Sequence, residues 1–276
     1  MCVMEKITTI AVIGVGTLGK QIAERARLYN YPVKLYDIDS HRVSEFIRIT
    51  STQLSKDGLQ GMFTQYSSLK EAVKETDLVI EAIPENIMLK QTIFKQIDDA
   101  APQHTIIATN SSSIPVSRLE TAVTRKDKIL NIHFYKLPDI PMADIARGTY
   151  TSDHTFHLGL HWLRSIDIEP LVVKKECLGF VFNRVWRAIK KECLKIWAGG
   201  YADKETVDTA WKIFTGMRYG PFGFMDIVGL DVVYDIEKIY YQESGNADDD
   251  PPYQLKELID QGKLGVKTGT GFYQYN

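Results

Sequence analysis

Ile7-Thr8-Thr9-Ile10-Ala11-Val12-Ile13-Gly14-Val15-Gly16-Thr17-Leu18-Gly19-Lys20-Gln21-Ile22-Ala23-Glu24-Arg25-Ala26 is the stretch that decides how this chain folds. Its first seven residues form a β-branched run of buried-strand type. Three glycines follow in the spacing Gly-x-Gly-x-x-Gly, and Lys20 to Ala26 has helical character. Alone, such a glycine string is common in tight turns. Its context makes it specific, because a second strand, Val33-Lys34-Leu35-Tyr36, ends at Asp37, 23 residues after Gly14 (37 − 14). Strand, glycine turn, helix and acid together form a dinucleotide-binding fingerprint.

The physics assigns a task to each part. Gly14 permits the tight turn, Gly16 lets the backbone approach a pyrophosphate, and Gly19 allows close helix–strand packing. The N-terminus of the following helix offers unpaired N–H groups and partial positive charge to the phosphates. Asp37 suits the adenosine ribose hydroxyls and repels a 2′-phosphate, which favours NAD over NADP. Gly14, Gly16, Thr17, Leu18, Gly19 and Asp37 are therefore the expected cofactor-binding residues.

Outward from this unit the alternation continues. Helical patterns run through Phe46-Ile47-Arg48-Ile49, Leu69 to Val73 and Leu89 to Ala101. Short apolar strands are predicted at Leu78 to Ile83, Thr105 to Thr109, Ile129 to Phe134 and Leu171 to Val173. Strands alternating with helices imply an α/β, Rossmann-type doubly wound sheet, mostly parallel. From about Cys177 the texture changes. Phe180 to Ala198, Lys204 to Phe214 and Asp226 to Tyr241 show helical periodicity with no convincing strand. The sequence thus divides into a Rossmann-like domain at 1–174 and an all-α C-terminal domain at 175–276, with Pro170 and Lys174-Lys175-Glu176 bracketing the boundary.

Composition excludes several classes. The 276 residues carry 33 Lys+Arg and 35 Asp+Glu, a net charge of 33 − 35 = −2, and 44% hydrophobic residues. That is ordinary globular composition, with enough apolar material for a real core. Near-neutral charge argues against a nucleic-acid partner. No apolar run is long enough for a transmembrane helix. Met1-Cys2-Val3-Met4-Glu5-Lys6 lacks the features of a secretory or transit peptide. Three cysteines, Cys2, Cys177 and Cys193, are too few for a disulfide framework. A cytoplasmic setting is expected.

Beyond the glycine loop, the chain carries Glu81-Ala82-Ile83-Pro84-Glu85-Asn86, Thr109-Asn110-Ser111-Ser112-Ser113 and Asn131-Ile132-His133-Phe134. It also carries Phe180-Val181-Phe182-Asn183-Arg184, Gly220-Pro221-Phe222, Asp226-Ile227-Val228-Gly229-Leu230-Asp231 and Gly265 to Tyr273. In these segments, over almost its whole length, the sequence resembles the L-3-hydroxyacyl-CoA dehydrogenase family, which includes 3-hydroxybutyryl-CoA dehydrogenases. The resemblance implies an NAD-binding domain, a helical domain that forms a homodimer, an active site between them, and a place in fatty acid metabolism. It implies His133 as the base that takes the 3-hydroxyl proton, a task for which imidazole is suited near neutral pH. Ser112 and Asn183 match positions that hydrogen-bond the substrate. Glu85 and Lys90 match positions near the nicotinamide end of the cofactor, and Lys267 another cofactor position. The plainer alternatives are a helix cap for Ser112, an amphipathic-helix residue for Asn183, and solvated surface charges for both lysines.

Four departures from the family pattern carry consequences. The glutamate that orients the histidine has Asp144 as its counterpart, after a one-residue deletion. A carboxylate is kept, which allows control of the His133 tautomer; the plainer alternative for Asp144 is a surface acid. Lys136 stands three residues after the histidine in place of asparagine, where it could attract a substrate carboxylate. Leu178 replaces a proline before Gly179-Phe180. The segment between Asp37 and Asp77 is shorter, and Ser55-Lys56-Asp57-Gly58-Leu59 replaces the usual stretch that helps to hold CoA. The leading expectation is oxidation of a 3-hydroxyacyl-CoA, short-chain and 3-hydroxybutyryl-CoA-like, with His133, Asp144, Ser112 and Asn183 as the catalytic set and Ser112, Lys136 and Asn183 meeting the substrate. The alternatives are a free hydroxy acid or sugar acid without CoA, and a catalytically impaired cofactor-binding protein. His154, His157 and His161 share a helical face, but no acid or cysteine completes a zinc shell, and no metal is expected. Trp186, Trp197 and Trp211 read as core or dimer-interface residues.

Overall fold

In this computed structural model, which describes residues 6–54 and 63–275, the opening run becomes a four-residue strand, β1 (Ile10–Ile13), buried at every position. Burial on both faces is what a continuous apolar strand demands. Ile10 and Val12 join one core cluster with Ile22, Leu35, Leu163 and Ile166. Ala11 and Ile13 join another with Ala72, Phe94 and Ile97. Successive residues of one strand thus feed the two faces of the sheet.

The first unit extends to Val181 and the second starts at Phe182. In the first, β2 (Val33–Tyr36), β3 (Phe63–Gln65), β4 (Leu78–Glu81), β5 (Ile106–Thr109), β6 (Ile129–Phe134), β7 (Met142–Arg147) and β8 (Glu169–Val173) join β1 in the order β3-β2-β1-β4-β5-β6-β7-β8. Every pairing is parallel except β6 with β7. The helices are α1 (Thr17–Leu28), α2 (Ser40–Leu54), α3 (Leu69–Val73), α4 (Ile87–Ala100) and α5 (Asp153–Ser165). Asn86 starts α4 by accepting from Leu89 N at 3.0 Å, a side-chain N-cap. The mostly parallel, doubly wound reading of this part holds.

Two strands were not expected from sequence. β3 is only three residues long, with an exposed Thr64. β7 holds a strand because Met142–Arg147 pairs on both sides, antiparallel to β6 and parallel to β8, and its central residues are buried. Pro170, read from sequence as part of a domain boundary, lies inside β8. It is tolerated there because β8 ends the sheet and an edge strand has one unpaired side.

The second unit contains α6 (Phe182–Ala198), α7 (Lys204–Thr215), α8 (Pro221–Val228), α9 (Leu230–Ser244) and α10 (Tyr253–Asp260), with no strand among its described residues. The single helix expected over Asp226 to Tyr241 is in fact two, separated at Gly229. Its core gathers Leu194, Phe222, Met225, Leu230, Val233, Leu255 and Phe272. Trp197 packs against Phe222 and Phe272, and Trp186 lies 4.9 Å from Phe224. Between β8 and α6 run residues 174–181; the division expected from sequence lies at the start of this link and the division by contacts at its end.

Candidate active site

Parallel strands bring their C-terminal ends to one edge of the sheet, and the strand order reverses between β1 and β4. That reversal is where open α/β sheets bind ligands. Gly14 follows β1, Asp37 follows β2, Glu85 lies just beyond β4, Ser112 follows β5, and His133 is near the end of β6. All five belong to this edge.

The glycine loop has the shape its sequence requires. Gly14 has φ +97°, and a Cβ there would lie 2.5 Å from Ala82 O. A Cβ on Gly19 would meet Gly14 O at 2.0 Å, so α1 can approach the loop only without a side chain at that point. Gly16 is different, since a Cβ on it would meet nothing within 4 Å. That open space, at the start of a helix with no side-chain cap, is a cradle suited to a pyrophosphate. Thr17 and Leu18 form the first turn of α1 above it. Asp37 accepts from Val15 N at 2.7 Å and Asp39 N at 2.9 Å, and Arg42 lies 3.7 Å away. Its carboxylate is thus held against the loop, with capacity left for ribose hydroxyls. The residues present fit a dinucleotide.

At the end of β4 the structure places an ion network that the sequence did not reveal. Lys90 is 1% exposed, so it is not a surface charge. Its ammonium lies 2.6 Å from Oε1 of the fully buried Glu81, 3.3 Å from Ile83 O and 3.3 Å from Oε2 of Glu85. An ammonium has three protons, and all three have acceptors here. The ammonium is thus shared among Glu81, Ile83 and Glu85. Glu85 also accepts from Ser113 N at 3.1 Å, Ser113 Oγ at 2.7 Å and Ser111 Oγ. Burial works to raise the Glu85 carboxyl, but the bonds from Ser111 and Ser113 and the charge of Lys90 outweigh it, so its pKa falls below the usual carboxylate value. Of the three serines, Ser111 and Ser113 hold Glu85, while Ser112 is left exposed on the turn. Ser111 Oγ accepts from Ile114 N at 2.8 Å and so holds the turn, and the helix-cap alternative considered for Ser112 does not apply, since the next helical turn starts only at Val116 with Pro115 before it. The turn is tied to β6 by Asn131 Nδ2 donating to Ser111 O and Phe134 N donating to Asn110 Oδ1, both at 2.9 Å.

His133 and Asp144 are brought together by the β6–β7 ladder, in which they are direct partners. Nδ1 of His133 is 3.1 Å from Oδ2 of Asp144. The imidazole is largely buried, stacked on Phe180 at 5.4 Å and 27° and edge-on to Tyr135 at 4.9 Å. Asp144 is fully buried and also accepts from the Tyr135 hydroxyl at 2.7 Å. Sequence reasoning did not single out Tyr135 or Glu81. The one available signal for Tyr135 was its spacing of two from His133, which in a strand means a shared face.

The remaining site candidates are more dispersed. Lys136 is exposed and pairs with Asp139 at 3.0 Å. Asn183 is half-buried in the first turn of α6, in the second unit. Lys267, also in that unit, makes a bidentate pair with Asp231 at 2.6 Å for both oxygens. Ser55 to Leu59 and Cys2 lie outside the described residues. His154, His157 and His161 are exposed on α5. Among the described residues, no group of three His, Cys, Asp or Glu side chains is placed to hold a metal ion, and no helix is long and apolar enough to cross a membrane.

Known proteins share this architecture. Residues 9–177 match the family model of the 3-hydroxyacyl-CoA dehydrogenase NAD binding domain, and residues 179–275 match the C-terminal domain model of the same family. A 3-hydroxybutyryl-CoA dehydrogenase of Clostridioides difficile is 30% identical over 97% of this chain and 99% of its own. A 5-formyl-3-hydroxy-2-methylpyridine 4-carboxylate 5-dehydrogenase of Mesorhizobium japonicum is 31% identical over 98% of this chain and 91% of its own. The solved structure of a diketoreductase acting on dicarbonyl compounds superposes with TM-score 0.89 at 33% identity, covering 99% of this chain and 100% of that one.

Proposed function

The chain belongs to the 3-hydroxyacyl-CoA dehydrogenase family, whose members are NAD-dependent oxidoreductases, and from that membership we propose that it oxidises a 3-hydroxyacyl-CoA, short-chain and 3-hydroxybutyryl-CoA-like, to the 3-ketoacyl-CoA. The observation that carries the reading is the buried His133–Asp144 pair at 3.1 Å, on the sheet edge that also bears the glycine cradle. The Asp144 carboxylate accepts a hydrogen bond from Nδ1–H, which leaves the Nε2 lone pair free to take the substrate hydroxyl proton. Bound NAD supplies the acceptor for the hydride that leaves C3. As the O–H proton passes to Nε2, the C–O bond becomes a carbonyl, and Asp144 stabilises the imidazolium formed. Ser112 and Asn183 hold the reacting oxygen. Glu85, steadied by Lys90, and Lys267 serve the cofactor.

A second reading keeps the same chemistry but takes a free hydroxy acid or sugar acid. The relatives support it, since two of comparable similarity have names that carry no CoA. Lys136 supports it too, being a cation three residues after the base that could leave Asp139 for a substrate carboxylate. The intact His133–Asp144 pair supports either enzyme over a catalytically impaired cofactor-binding protein. The proposal includes a cytoplasmic homodimer working in fatty acid metabolism, with residues 1–174 as NAD-binding domain and 175–276 as substrate and dimerisation domain. Exposed Val185, Ile213 and Phe214 in the second unit support dimerisation.

The test is NADH oxidation with acetoacetyl-CoA, run beside a panel of free 3-keto acids and keto sugar acids. Turnover of acetoacetyl-CoA is expected. Turnover of free acids alone would replace the first reading with the second, and NADH binding without turnover of anything would leave only the binding protein.

A further inference from the structure

We infer that Tyr135 is a positioning residue for the reaction at His133, its hydroxyl aiming the Asp144 carboxylate at the imidazole. This rests on the reading of His133 as general base. Tyr135 is one residue past the end of β6, where its N–H still reaches Met142 O at 3.4 Å, and its ring stands edge-on to that of His133, while the ladder sets Asp144 opposite His133. The Tyr135 hydroxyl donates to Asp144 Oδ2 at 2.7 Å, and the same oxygen faces His133 Nδ1 at 3.1 Å. The other oxygen, Oδ1, meets Val181 N only at 3.4 Å. Of these contacts the tyrosine bond alone has the usual length of a good O–H···O interaction, and a charged acceptor strengthens it.

The consequence follows from the shortness of the aspartate. Its carboxylate turns about Cβ–Cγ, a torsion with broad wells, and Oδ1 is only weakly held. Rotation away from His133 must break the Tyr135 bond in a site where Asp144 is fully buried and cannot find water instead. With Oδ2 held, the imidazole proton resides on Nδ1 and the lone pair stays on Nε2. Tyr135 itself is buried, with its ring against the imidazole, so the hydroxyl is placed by packing rather than by chance rotamers. Ring and hydroxyl have separable tasks. The ring fills space, and the hydroxyl orients the acid.

Tyr135→Phe removes one oxygen and keeps the ring, which makes the test selective. On whichever substrate the unmodified protein reduces with NADH, the variant should lose about tenfold in kcat, with KM unchanged within about twofold. In the Asp144→Ala background the same change should cost less than about twofold, because the hydroxyl then has no acid to orient. Equal losses in both backgrounds would overturn the inference, as would a change in KM alone. The second readout needs no turnover. In full-length protein labelled with 15N-histidine, the His133 resonances are identified by their loss in His133→Gln. They should report Nδ1–H in the unmodified protein and mixed tautomers in Tyr135→Phe, and identical tautomers in the two would overturn the inference. If the unmodified protein turns over no substrate, the general-base reading falls, and the tautomer comparison still decides the role of Tyr135.

Discussion

His133 and Asp144 face each other across the antiparallel pairing of β6 and β7, eleven residues apart in sequence and 3.1 Å apart between Nδ1 and Oδ2. The pairing is made by backbone hydrogen bonds, so their mutual position is as rigid as the sheet. His133→Gln should abolish turnover and leave NADH affinity nearly unchanged, as read by steady-state rates and fluorescence titration. Surviving activity would remove His133 from the role of base.

Asp144→Asn keeps the shape of the carboxylate and replaces its charge with an amide that can present a donor to the ring. The wrong tautomer and an unstabilised imidazolium should lower kcat by about 10²–10⁴-fold, the range seen when a carboxylate that orients a catalytic histidine becomes an amide. A loss smaller than about tenfold would show that Asp144 does not orient the base.

The three loop glycines separate fold from binding. Gly16→Ala adds a Cβ where the protein has nothing within 4 Å and where φ is −72°. Stability should stay within about 0.5 kcal/mol, while the NADH Kd rises at least about tenfold because the methyl occupies the cradle. Gly19→Ala drives a Cβ to 2.0 Å from Gly14 O and should cost about 1–3 kcal/mol of stability as well. Urea unfolding beside NADH titration checks both, and the cradle assignment fails if Gly16→Ala binds NADH normally.

Lys90 has no route to solvent and leaves Glu81 buried if it is lost. Removing one partner of a buried pair costs about 3–5 kcal/mol, so Lys90→Met should lower the thermal midpoint markedly. NADH binding should weaken in the protein that remains folded, because Glu85 loses its cation. Normal stability in this variant would show that the Lys90–Glu81 pair is dispensable.

Acid should unfold the protein through depressed carboxylates. Asp98 is held below its ordinary value: burial pushes it up, but bonds from Thr124 and Arg125 and the charge of Arg125 outweigh that. Glu85 is depressed in the same sense. A lowered folded pKa means that the stabilisation is fully present above the unfolded value of about 4 and is lost as pH falls below it. Urea midpoints should therefore be level between about pH 7 and 5 and drop below about pH 4. Asp98→Asn should be less stable at pH 7 and show a shallower acid drop. An equal drop in that variant would move the acid sensitivity elsewhere.

What the sequence by itself determined was local in its physics. The glycine spacing, the β-branched run before it and Asp37 after β2 are short-range signals, and a nucleotide cradle needs little more than a strand, a turn and a helix N-terminus in succession. Alternating strands and helices determined the parallel sheet for the same reason. His133 and Asp144 were legible as candidates only through family resemblance. Spacing alone says nothing of an aspartate in Met142–Arg147, a segment whose strand character comes from pairing on both sides. The tertiary structure decided what depends on long-range pairing and on burial. It made Asp144 the direct partner of His133 and placed the Tyr135 hydroxyl on the same oxygen. It also took Lys90 from the surface, where an unpaired lysine belongs, into a buried site. A buried cation must be matched by anions at short distance, and only the meeting of β4, α4 and the turn after β5 brings those anions there.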